Sequence, residues 1–518
     1  MGIDCEKLLN KIDDSIGENV IFKTYSKEEL LIGLINFYCP NQKYLNDKME
    51  AFRDNKINIS DFRIIIKFIY KYAKNNEVNK DLKDVSYNEI KEFNEFIHNN
   101  YVYVRNFLAR CIVKERKIEY DSEQNLYFES ETKAFRDYER ISDDESITNR
   151  ISDQIKRLFK YKTNSKIFLR LAKDQFLLDI NKNLIDINKD ISEFKDFKYK
   201  IKSFSYENII EFSAATQYLA ILTFRSKETN FAFDDLVTFY KIVTKLDEKI
   251  INGLIRVVTY NEEFQNDKFT LFQPLFLING RYYIPTLVVI FSYFPLKILN
   301  VLFSSSSEYK KIESLISQQK EKQMIDDIEK LFVNKYNDSI QFCINKKFRF
   351  NEKDSGEYDI LIFDTKSKVV YIIECKWFKL VDSDESASKL TSKIDDFVYK
   401  RINKNKLLIN NREELYKLFG VEEISEFREF LISQNFIGYR DYKMPVINFK
   451  FLSQLVNDSS SMDDFWHKLI NKNYYNNFLD MQLVKRDFNI NGYRFRIYVS
   501  ARPNIERIMS LLMNYFLA

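Results

Sequence analysis

Apolar residues in the first half of the chain recur at spacings of three and four. In the second half they gather into short runs around Gly, Asn and Asp. The first pattern predicts amphipathic helices and the second predicts strands. Ser26-Lys27-Glu28-Glu29 is a capping box ahead of Leu30, Leu31, Leu34, Ile35 and Tyr38, and Pro40 stops that helix. Ser60-Asp61 opens Phe62, Ile65, Ile66, Ile69 and Ala73. Ser86-Tyr87-Asn88-Glu89 is a further capping box before Ile90, Phe93 and Ile97, with His98 at the helix end as a dipole partner or surface residue. Between 111 and 130, Ile112-Val113 and residues 117–120 are placed to pair with 126–128 as a small hairpin. Helices then resume to about residue 255. One starts near Ser205, and two more lie between Phe233 and Val258, with Gly253 as their break.

The polar stretch 261–268 marks a boundary, so the expected domains are 1–262 and 263–518. Beyond it, Asn279-Gly280 sits between apolar runs and predicts a hairpin. Residues 308–334 read as a long helix with a stripe of Met324, Ile325, Ile328, Leu331 and Phe332. Glu321 falls within about 20° of the centre of that stripe, at 100° per residue. It is the odd residue there, unless it lies beyond the packed part of the helix. A strand at 339–350 follows. Residues 356–363 and 369–376 then flank the turn Asp364-Thr365-Lys366-Ser367-Lys368 and predict a second hairpin. Alternation puts Glu374 and Lys376 on one face and Cys375 on the other. Both faces are apolar until these charges appear, and unpaired buried charge is costly. After Asp382, Lys389, Lys393 and Lys400 recur on one helical face, and 403–430 reads as charged helix. Residues 435–439 and 445–449 are strand-like, 462–477 helical, and Asn491-Gly492 predicts a third hairpin near Arg486, Arg494, Arg496 and Arg502. The whole is α+β.

Chemistry concentrates in the second hairpin. Asp359 and Glu374 are hard oxygen ligands suited to Mg²⁺. Lys376 beside them is placed to orient a water or to stabilise phosphate charge. The plain alternative is a salt-bridged hairpin end, with Asp359 or Glu374 paired to Lys376. Together, Gly356-Glu357-Tyr358-Asp359 and Glu374-Cys375-Lys376 resemble the motifs of the PD-(D/E)xK nuclease superfamily, the restriction-endonuclease-like fold. One departure is that no Pro precedes Asp359. The resemblance covers about 308–450 and implies an α/β core with a central mixed sheet behind a mostly helical N-terminal region.

It also implies a Mg²⁺-dependent endodeoxyribonuclease, with Mn²⁺ as a substitute. The metal ligands would be Asp359, Glu374, the backbone carbonyl of Cys375, and Glu321, with Glu329 behind it. Lys376 would position the attacking water. Lys389, Lys393 and Lys400 are the candidate nucleic-acid contacts, against the plainer reading of a solvated helix face. DNA is the implied substrate, with RNA left open. A large helical partner region points by analogy to bacterial restriction or anti-phage defence, where it would sense, form homo-oligomers, or recruit a partner ATPase or helicase. The rival class is a catalytically silent protein of this fold that binds nucleic acid or serves assembly.

Composition narrows the field further. With 80 basic and 76 acidic residues, a nucleic-acid surface has to be a local patch. The two histidines, His98 and His467, argue against an HNH nuclease, an HD phosphohydrolase or a His-ligated metal centre. The five cysteines lack C-x-x-C spacing, so neither a zinc site nor a disulfide framework is expected, which fits the cytoplasm. No P-loop motif occurs. The N-terminus does not read as a signal peptide. Residues 282–303 are apolar but interrupted by Pro285, Pro295 and Lys297, so a buried strand and helix are expected there and no membrane span.

Overall fold

The computed structural model describes residues 3–39, 61–75, 82–114, 116–131, 166–174, 204, 206–223, 229–260, 273, 275–290, 307–350, 355–378, 384–433, 442–471 and 483–500. The chain is α+β. Its first helices are α1 (Cys5–Gly17), α2 (Val20–Thr24), α3 (Lys27–Phe37), α4 (Asp61–Tyr72), α5 (Tyr87–Phe96) and α6 (Val102–Ile112). The capping box of α3 forms as its sequence dictates: Glu29 N donates to Ser26 Oγ at 3.3 Å, and Ser26 N donates to Glu29 Oε2 at 2.7 Å. Ser86 makes no side-chain cap, and the Glu89 carboxylate accepts from Tyr25 OH at 2.8 Å. His98 is not a surface residue. A π-turn, Ile97–Tyr101, joins α5 to α6 and carries His98 into the core at 5% exposure, with Nδ1 2.8 Å from Asp61 Oδ2. A widened turn shifts the helical faces by about one residue, which a spacing of three and four does not anticipate.

Strands β1 (Lys117–Asp121) and β2 (Leu126–Glu131) form the small hairpin, while Ile112 belongs to α6. Next come α7 (Tyr206–Thr223), β3 (Asn230–Phe231), α8 (Phe233–Val243) and α9 (Glu248–Val258). The break between the last two falls at residues 244–247. Gly253 lies inside α9, where an added Cβ would sit 2.5 Å from the Phe204 ring, so it serves close packing. Strands β4 (Phe276–Ile278) and β5 (Arg281–Tyr283) turn through Asn279 (φ 49°) and Gly280 (φ 75°), both left-handed as a type I′ turn requires. Helix α10 (Thr286–Ile290) follows. The rest of the apolar segment lies outside the described residues, and among those described no helix is long and apolar enough to cross a membrane.

The second half contains α11 (Ser307–Tyr336), β6 (Ile340–Arg349), β7 (Ser355–Asp364), β8 (Val369–Lys376), α12 (Asp384–Asn410) and α13 (Glu413–Phe419). It continues through β9 (Glu426–Ser433), β10 (Val446–Asn448), α14 (Phe449–Asp458), α15 (Met462–Ile470), β11 (Leu483–Ile490) and β12 (Tyr493–Ser500). A five-stranded sheet runs in the order β10-β9-β8-β7-β6. It is mixed: β6, β7 and β8 are antiparallel, and β8, β9 and β10 are parallel. Met324, Ile325, Ile328 and Phe332 of α11 cover one face with Ile394 and Val398 of α12. Leu408, Leu415 and Phe419 cover the other. The middle strands are therefore buried on both sides, as their unbroken apolar runs predict.

Residues 426–433 correct the helical reading of 403–430. They form β9, and their charges are paired instead of solvated. Arg428 reaches Asp463 at 2.7 Å and Glu426 at 2.8 Å, and Glu429 accepts from Asn405 at 2.6 Å. The strand-like 435–439 lies outside the described residues. The third hairpin forms around Asn491 (φ 47°) and Gly492 (φ 91°). Its strand β12 pairs in parallel with β2, giving the sheet β1-β2-β12-β11. Phe488, Ile490, Phe495 and Ile497 share a core with the N-terminal helices, as do Phe276 and Ile278. Segments on both sides of the 262/263 division thus pack together. Of the basic strip, Arg496 grips Asp487 at 2.7 and 3.0 Å and Arg494 donates to Gln124 O; Arg502 is outside the described residues.

A buried ion pair ties this sheet together. Arg116 Nη1 lies 3.2 Å from Glu129 Oε2 and 2.9 Å from Tyr498 O, and Tyr498 N donates to Glu129 at 2.8 Å. Removing one partner leaves the other charge buried and uncompensated. Arg116→Met is expected to lower stability by about 3–5 kcal/mol. Adding Glu129→Leu removes the uncompensated charge but leaves the Tyr498 N–H without its acceptor, so it should recover only part of that loss in urea unfolding.

Candidate functional site

The ladder between β7 and β8 runs from Asp364↔Val369 to Ile360↔Ile373 and stops there. The next residues in register are Asp359 and Glu374. On its other edge β8 stays paired with β9 through Lys376↔Ser433. The sheet therefore parts between β7 and β8 at this end. The backbone N–H of Cys375 has lost its ladder partner, and a buried donor needs one. Asp359 Oδ2 takes it at 2.8 Å. On the far edge of β7, pairing with β6 skips Asn345 and Asp359, and Asn345 adopts a left-handed φ of 48°.

Alternation along β8 places the motif as its spacing predicts. Cys375 is fully buried in the same core as Tyr371 and Ile373, and burial pushes its thiol well above the usual range. Only its backbone is left for the site. Glu374 Oε1 lies 3.5 Å from Lys376 Nζ. Glu321, on α11, meets them from the neighbouring layer: Oε2 is 3.2 Å from Lys376 Nζ, and Oε1 accepts from Trp377 N at 3.3 Å. The odd carboxylate of the α11 stripe thus belongs to the group. Glu329 lies two turns further along α11 and takes no part in these contacts.

Sequence reasoning missed Arg401. It forms a salt bridge with Glu374 Oε2, and both residues are buried. Arg401 Nη1 donates to Glu357 O at 3.1 Å, and Lys404 Nζ donates to the same oxygen at 2.7 Å. Tyr358 OH donates to Lys404 O at 2.9 Å, and burial raises its phenol to about 12. Burial lowers Arg401, opposed by the charge of Asp359; burial and the Arg401 charge lower Lys404. The Phe397 ring lies 5.1 Å from Lys376 Nζ and 5.9 Å from the Arg401 guanidinium. A signal for Arg401 was present. Ile394, Val398, Arg401, Asn405 and Leu408 form one buried stripe on α12, so Arg401 is a charge at a core position, like Glu321. Lys389, Lys393 and Lys400 lie on the exposed side of that helix. It is Arg401 and Lys404 that reach into the group.

Three carboxylates (Glu321, Asp359, Glu374) thus meet three cations (Lys376, Arg401, Lys404). Each carboxylate is turned toward a donor, which includes the Glu374–Lys376 pairing expected of a plain hairpin end. Among the described residues no cluster of three or more His, Cys, Asp and Glu is arranged to hold a metal. The donor chemistry still fits a hard divalent cation, because Asp359 and Glu374 offer carboxylate oxygens at the mouth of the parted strands. The arrangement can also take an anion. Arg401 Nε is buried without an acceptor among the described residues.

No family model matches the chain, and no curated protein or solved structure does.

The Asp359–Cys375 bond predicts a split between two substitutions. Asp359→Ala orphans the Cys375 N–H and should cost about 1–3 kcal/mol. Asp359→Asn keeps an acceptor oxygen and should cost less than about 1 kcal/mol. Chemical denaturation without metal measures both.

Proposed function

We propose that the chain is a metal-dependent nuclease of PD-(D/E)xK type that hydrolyses phosphodiester bonds, with DNA as substrate. The observation that carries this reading is the parted end of β7 and β8, which brings Asp359, Glu374, Lys376 and Glu321 to one place. A mixed five-stranded sheet with helices on both faces is the kind of core the resemblance implies, and it supports the reading.

Asp359 and Glu374 would hold Mg²⁺, with the backbone of Cys375 alongside. A bound Mg²⁺ would supply charge neutralisation at the phosphoryl group and a more acidic water. Lys376 Nζ is held between Glu321 and Glu374, so its ammonium keeps a fixed position from which to donate to the attacking water. Arg401 and Lys404 supply donors for the non-bridging oxygens, where negative charge gathers. The helical half would give the nuclease a sensing, oligomerising or partner-binding surface in bacterial restriction or anti-phage defence.

One observation favours a second reading. Every carboxylate of the group already faces a protein donor, as expected of a silent nuclease-fold protein that binds nucleic acid or serves assembly. Cleavage separates the two. Supercoiled plasmid, linear duplex, single-stranded DNA and RNA are incubated with Mg²⁺ or Mn²⁺. The wild type should cut at least one of them. Asp359→Asn and Lys376→Ala should each slow that cutting by about 100-fold or more. Binding without cutting in every arm would support the silent protein.

A further inference from the structure

Glu374 is the central ligand of the proposed metal site, yet it is 4% exposed and both of its oxygens are engaged, one by Lys376 and one by Arg401. A divalent cation cannot take Glu374 Oε2 while the Arg401 guanidinium holds it. Meanwhile Arg401 has a buried Nε with no acceptor among the described residues, and its Nη1 rests on the carbonyl of Glu357. Lys404 shares that carbonyl. A guanidinium fork with an unused donor is built for a planar or tetrahedral oxyanion.

We propose that Arg401 and the divalent cation compete for Glu374, and that a phosphodiester settles the competition by drawing Arg401 onto its oxygens. This rests on the nuclease reading and adds regulation to it. Without nucleic acid, Arg401 keeps Glu374 and the site stays closed to metal. When a backbone phosphate arrives, it brings one negative charge and free acceptors. Arg401 exchanges the carboxylate for the phosphate, and Lys404 follows from the Glu357 carbonyl. Glu374 Oε2 is then open to the cation, beside Asp359. Metal and nucleic acid bind cooperatively as a result, and each must tighten the other by the same factor.

Calorimetry tests this on the full-length protein. Mn²⁺ is titrated alone and in the presence of three probes of 20 residues per strand: a phosphorothioate DNA duplex, its single strand and an RNA strand. With at least one probe, Mn²⁺ should bind about tenfold tighter or more, within the usual range of coupling between sites. Arg401→Gln should raise Mn²⁺ affinity in the absence of nucleic acid by about tenfold and reduce the coupling to less than about threefold. If that variant does not fold, Arg401→Lys takes its place. It keeps a cation against Glu374 but lacks the fork, so its coupling should fall well below that of the wild type. Equal Mn²⁺ affinity with and without all three probes overturns the inference and leaves the nuclease reading standing. Coupling that survives intact in the Arg401 variant also overturns it. Failure of Mn²⁺ to bind in every arm overturns both.

Discussion

The β7–β8 ladder ends at Ile360↔Ile373, three residues before β8 does, and the proposed chemistry depends on that early end. If pairing continued past Ile360↔Ile373, the Cys375 N–H would be taken by the backbone of β7. Asp359 would have no donor to clasp, and its carboxylate would have no fixed place. The strands are buried on both faces up to this point, so burial drives them together. Beyond it, Asp359, Glu374 and Lys376 take side-chain partners in place of a continued ladder: Asp359 takes the Cys375 N–H, and Glu374 takes Arg401 and Lys376. The bond from Cys375 N to Asp359 Oδ2 spans the gap, as does Arg401 between the Glu357 carbonyl and Glu374. Helices α11 and α12 then bring Glu321 and Arg401 to the same end.

Helix α12 has a second role. Its buried stripe carries Arg401 and Asn405 into the sheet, and it lies against α6 of the N-terminal helices. The element that holds Glu374 is thus the one that touches the helical half. Any rearrangement of α6 would bear on the helix that positions Arg401. The return of β12 to pair with β2 reinforces the same joint from the C-terminal side. The two halves of the chain share packing.

Local signals explain what was legible in the sequence. The β7–β8 hairpin is written in two β-branched runs around a polar turn, and the Asn-Gly turns at 279–280 and 491–492 need no partner elsewhere to be recognised. Glu321 was legible because a carboxylate breaks the pattern of its own helix. Two of the misses share one physical origin: charges whose partners lie far away. Arg428 and Glu429 made β9 look like a solvated helix, because Asp463 and Asn405 are 35 and 24 residues distant. Arg401 was passed over, because its partner Glu374 belongs to another element. His98 was misplaced by a π-turn, and the placement of β12 beside β2 depends on contacts across most of the chain.

The most direct measurement is anomalous scattering from crystals grown with Mn²⁺ and an oligonucleotide. The account predicts a manganese peak within about 2–2.6 Å of carboxylate oxygens of Asp359 and Glu374, with the Arg401 guanidinium moved from Glu374 onto a backbone phosphate. A peak elsewhere, or no peak with Arg401 still seated on Glu374, would contradict it.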